Sequence, residues 1–123
     1  MQYETKSAIG SFATLHRSPS RGAWTHLLAQ MFRLGQGQGE LAAHSERPWA
    51  SATFAGARHA ISLSFAGAES VAAGERLLDL LPDHEFDIPG HLVADATVRA
   101  AHHRLLPDEK LELEIEILLL EDL

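Results

Sequence analysis

The chain reads as an α+β domain in which two helices pack on one face of a mainly antiparallel sheet, and three patterns predict this. In residues 111–117 every odd position is aliphatic and every even one a carboxylate, the alternation of a half-buried strand. A second alternating run, Leu92, Ala94, Ala96, Val98 and Ala100, precedes it, with Leu106-Pro107-Asp108-Glu109 as the turn between them. Two further stretches repeat their apolar residues at helical rather than strand spacing.

Taken in order, residues 5–15 carry Ile9, Ser11, Ala13 and Leu15 in alternation, with Phe12 on the other parity, and predict a strand. Ser18-Pro19 supplies an N-cap followed by proline at the first helical position. Trp24, Leu27, Leu28, Met31 and Leu34 then predict a helix that Gly35 closes. Residues 35–48 turn to Gly, Gln, Glu, His and Ser, the composition of a flexible connection. The Gly35-Gln36-Gly37-Gln38-Gly39 run is not a nucleotide loop, because such loops follow a strand and open a helix, whereas this one closes a helix. Residues 49–54 and 57–65 predict a hairpin about Ala55-Gly56, with Ile61, Leu63 and Phe65 alternating with Ser62 and Ser64. Val71, Gly74, Leu77, Leu78 and Leu81 predict a second helix that Pro82 stops, and Gly74 inside it either costs about 1 kcal/mol or admits a close approach to the sheet.

The expected order is β-α-β-β-α-β plus a C-terminal strand, hence a five-stranded sheet. In topology alone this is similar to ferredoxin-like domains. That likeness carries no function.

At 123 residues the chain matches one domain, 1–123, with 46% hydrophobic and 22% charged residues in the globular range. No run approaches the roughly 18 apolar residues of a membrane span. The first residues lack the basic and apolar regions of a secretory signal, so the expected location is cytoplasmic, without membrane contact. With no cysteine there is neither a disulfide framework nor a thiolate nucleophile. A formal charge of −7 and only two lysines, Lys6 and Lys110, argue against a nucleic-acid partner.

Aligning the apolar faces of the last hairpin pairs Val98 with Ile117 and Arg99 with Glu116, because a one-residue slip would set Val98 against a carboxylate. The same rule, with a two-residue turn, pairs Phe54 with Ala57 in the earlier hairpin. Together they put Trp49, Ser51, Thr53, Arg58, Asp95, Thr97, Arg99 and His103 on one open face, the candidate ligand-binding surface; a merely solvated sheet face has the same composition. Ile117-Leu118-Leu119-Leu120 breaks the alternation, so Leu118 and Leu120 need a cover, either a loop or a second copy, and are the candidate interface residues.

Eight histidines invite a metal hypothesis, but no His-x-x-x-His or His-x-His occurs, and His102 and His103 point to opposite faces. Only an assembly of distant residues, such as His44 with His91 and Asp95, would serve; the expectation is no metal and no cofactor. Acid–base chemistry would need His59, His91 or His103 beside Asp95 or Glu85, and His59 reads as a buried neutral histidine beside Ile61 and Leu63. A Gly-x-Ser-x-Gly elbow is absent. The loop 82–91 gathers charged and aromatic groups between a helix and a strand and is a secondary candidate. The sequence therefore points to a non-enzymatic domain that self-associates, as a dimer first, through its sheet and binds a small ligand or a protein partner. A structural assembly subunit, phage-tail or connector-like, and a small His/Asp enzyme are the alternatives.

Overall fold

Side chains that alternate along the last strand are divided between a face covered by helices and a face that is not. The computed structural model describes residues 20–121. In chain order they form helix α1 (Ser20–Leu34), strands β1 (Glu40–Ala50) and β2 (Ala55–Ala66), helix α2 (Ala68–Leu80) extended by a 3-10 turn at Leu81–Asp83, and strands β3 (His91–Arg104) and β4 (Lys110–Glu121). No helix among them is long and apolar enough to cross a membrane.

Two expectations about the fold are overturned. The sheet has four strands, not five, in the order β1-β2-β4-β3, every pair antiparallel. The helices precede the two hairpins, α-β-β-α-β-β, so the insertion differs from the ferredoxin-like order. The strand expected at residues 5–15 and the Ser18-Pro19 cap lie outside the described residues. Residues 35–48, expected to be a loop, become strand β1 from Glu40 onward. The physical reason is position: β1 is a sheet edge on which only His44 and Trp49 are not exposed, so apolar alternation is not required of it.

The core lies between the helices and the alternate residues of β2 and β4. Ile61, Leu63, Phe65, Leu111, Leu113, Ile115, Ile117 and Leu119 are all at most 2% exposed. They pack with Ala23, Leu27 and Met31 of α1 and Val71 and Leu77 of α2. Each such aliphatic or aromatic side chain stabilises the fold by roughly 1.5–3 kcal/mol. A Cβ on Gly74 would lie 2.8 Å from Phe65 and 2.9 Å from Leu111, so this glycine is what lets α2 press against the sheet. At the end of α1 the N–H of Gly37 bonds Phe32 O (2.8 Å) and that of Gln36 bonds Arg33 O (3.0 Å), a Schellman closure. Gly35 is the C-cap, yet Gln36 takes the left-handed conformation, at φ 59°. Buried Gln30 anchors the following loop: its Nε2 donates to Asp87 O at 2.6 Å and its Oε1 accepts from Asp87 N at 3.0 Å.

Both hairpin registers differ from expectation. β1 ends at Ala50, paired with Ala55, and the turn is the four residues between, where Ser51 Oγ accepts from Phe54 N at 3.1 Å. In the last hairpin Val98 faces Ile115 rather than Ile117, and Thr97 rather than Arg99 faces Glu116. Irregularities between Val93 and Asp95 and between Val98 and Ala100 interrupt the parity of β3. Within the alternating run Ala96 pairs with Ile117 on the helix-covered side, whereas Ala100 pairs with Glu114 on the open side. Such bulges on an edge strand hinder pairing with another sheet.

Candidate functional site

Small side chains leave room at one end of the helix-covered face. Ala57 and Gly56 of β2, beside Pro48 of β1, border a cavity of about 170 Å³ whose other walls are Glu46, His59, His91, Leu119 and Glu121. The register creates this grouping, since Glu46 is the direct cross-strand partner of His59 and His91 that of Glu121. His44, two residues before Glu46 on β1, returns to the same side of the strand.

His59 is fully buried, as the sequence implied. Its Nδ1 and His44 Nε2 share a hydrogen bond of 2.9 Å. The two imidazoles lie 7° from parallel with centroids 5.2 Å apart, and the indole of Trp24 stacks on His44 at 3.5 Å and 4°. Burial lowers the pKa of His59 to about 4, with His91 adding to the effect. Burial likewise lowers that of His44 to about 4; His59 pushes the same way and Glu46 opposes. Both rings are therefore neutral at pH 7. His59 uses one ring nitrogen on His44, and the other, Nε2, is buried without a hydrogen-bond partner. Donor atoms of His44, Glu46 and His59 all lie within 4.8 Å of one another. Chemically this is a set of two neutral imidazoles and a carboxylate, able to donate lone pairs but too weakly basic for proton abstraction near pH 7.

The open face is organised differently. Arg99, Arg47 and Arg58 approach the Glu116 carboxylate to 3.3, 3.6 and 3.9 Å. Register puts Trp49, Arg58, Asp95 and Thr97 on this side, opposite Gly56, Leu118, Leu118 and Glu116 respectively. Asp95 accepts a hydrogen bond from Thr97 Oγ1 at 2.9 Å. Ser51 and Thr53 are not on the face but in the β1–β2 turn. His103 also leaves the group: the irregularity at Val98/Ala100 pairs it with Leu111, and its Nε2 meets Glu109 at 2.9 Å. Leu118 and Leu120 do lie on the open face, but they are 8% and 6% exposed within the single chain. Among the described residues no histidine forms a hydrogen bond with Asp95 or Glu85.

The His44-Ser45-Glu46 motif was not legible as a donor set, because residues 35–48 read as a loop. The one signal in the sequence was His-x-Glu, whose two side chains share a face if the segment is a strand.

No protein-family model matches the chain, and no curated protein does. Among solved structures it is similar to the type 4 fimbrial biogenesis protein PilO from Pseudomonas aeruginosa, at 15% identity and a TM-score of 0.42 over 80% of this chain and 70% of that one. A likeness of that size decides nothing about the role of this chain.

Proposed function

We propose that this domain is a non-enzymatic self-association module, two copies docking through their open sheet faces about a two-fold axis. What carries the reading is the distribution of charge on that face. Three arginines crowd one carboxylate, Glu116, near the middle of β4, while Glu114 and Glu112 follow toward its start, where Lys110 approaches Glu112 to 3.3 Å. A two-fold axis across the strands, passing between the two stretches, sets each arginine cluster over the partner's Glu114. Between them Ala43, Ser45, Ala60, Ser62 and Ser64 keep the surface low, so two sheets can approach to about 10 Å.

The test is charge reversal, followed by sedimentation at low salt. Arg58→Glu should convert a dimer to monomer, and adding Glu114→Arg to it should restore the dimer. Leu118 and Leu120 are poorer probes, because they are already buried in one chain and serine there acts first on its own packing. A wild-type chain that stays monomeric at every concentration would refute the module.

A further inference from the structure

We propose that the helix-covered end of β1 and β2 binds one divalent transition-metal ion of the zinc class through His44, Glu46 and His59. Two imidazoles and a carboxylate form a donor set that suits such an ion. The three donor atoms span at most 4.8 Å, whereas donors on a tetrahedral ion with bonds of about 2.0–2.1 Å lie about 3.3 Å apart. All three side chains rise from one side of the two strands, because Glu46 and His59 are register partners and His44 lies two residues before Glu46 on β1. Stacking on Trp24 already sets the plane of His44.

An independent observation points to a guest in the same place. Buried polar atoms in folded proteins are almost always paired, yet His59 Nε2 is unpaired while its residue walls a cavity that Glu46, Glu121 and His91 also line. Two carboxylates among the walls favour a cation over an anion. Space toward His91 and Glu121 leaves room for water or a fourth ligand. The other histidine pair, His102 and His103, faces Glu112 and Leu111 on opposite sides of β3 and forms no comparable set.

The test uses the full chain stripped with chelator and titrated with zinc(II) by calorimetry. Cobalt(II) is then followed by its visible absorption and by quenching of Trp24 in a Trp49→Phe background. One equivalent should bind, Trp24 emission should fall in step with cobalt, and Glu46→Gln and His44→Gln should each weaken binding about tenfold or more. His59→Gln removes a core side chain, so exposed Glu46 carries the decisive comparison. The double change His102→Ala, His103→Ala should leave binding unchanged. Absence of stoichiometric binding, binding indifferent to both Glu46→Gln and His44→Gln, or binding lost with His102 and His103 would each overturn the site.

Discussion

Glu116 and His59 each sit on a central strand of the same sheet, on opposite faces, and their polar groups are satisfied in opposite ways. Glu116, on the open side, has three guanidinium groups within 4 Å, two of them on arginine side chains more than half exposed. His59, under the helices, has one hydrogen bond to His44 and one ring nitrogen with none. Water explains the difference. On the open face solvent supports surplus charge, so partners collect without a fixed stoichiometry; under the helices each polar atom depends on whatever the fold supplies. An unpaired atom is therefore informative on the covered face and unremarkable on the open one.

The contrast between faces breaks most readily at adjacent residues of β2. Leu63→Ala should cost about 2–5 kcal/mol, while Ser64→Ala, one residue on and facing the other way, should stay within about 0.5 kcal/mol. Urea denaturation measures both. A large cost at Ser64 would mean that the open face is packed within the chain rather than available to a partner.

Acid comes next. The unfolded chain takes up protons on His59 near pH 6.5, the folded chain only near 4, so between these values the unfolded state holds more protons and stability falls as pH falls. The contribution is complete above pH 6.5 and gone below about 4. With chelator present, the wild type should lose roughly 3 kcal/mol more than His59→Leu across this window. Half-buried His44 adds less, being screened by solvent. Parallel pH profiles for the two proteins would show that His59 is not held neutral by its surroundings.

How much of this was legible in the sequence depends on which face a residue serves. Leu111 to Ile117 and Ile61 to Phe65 announced themselves because a covered face demands an apolar residue at every second position, and the hairpin at 91–121 followed. β1 did not, because an edge strand with both faces largely exposed has no pattern to satisfy. Missing it hid Glu46 from His59. The bulges of β3 were equally silent, and one of them transferred His103 away from Thr97 and Arg99. His59 could be placed under the helices from its parity with Ile61 and Leu63, but its neighbours could not, since they come from the strand that was not recognised.

Gly74 sharpens the picture of the covered face at smaller magnitude. Alanine is the better helix former by about 1 kcal/mol, so on an open surface Gly74→Ala would stabilise. Here its Cβ would enter the space of Phe65 and Leu111, and overpacking of that kind costs about 1–3 kcal/mol. The net effect should be a destabilisation of about 1 kcal/mol by thermal or urea unfolding. A stabilised variant would show that α2 has slack against the sheet.

The smallest effect is expected on the open face, where Glu116→Gln removes the carboxylate that three arginines share. Arg47 and Arg99 are mostly exposed, so each pair contributes little, and mutual repulsion among the guanidinium groups offsets part of what Glu116 provides. The cost should be under about 1 kcal/mol at low salt. It should shrink further near 1 M salt, where the screening length falls from about 10 Å at 0.1 M to about 3 Å. Urea midpoints at the two salt levels test this. A cost that is large and indifferent to salt would mean that the low exposure of the Glu116 side chain, 16%, outweighs the exposure of its arginines, and the open face would then obey the same rules as the face that holds His59.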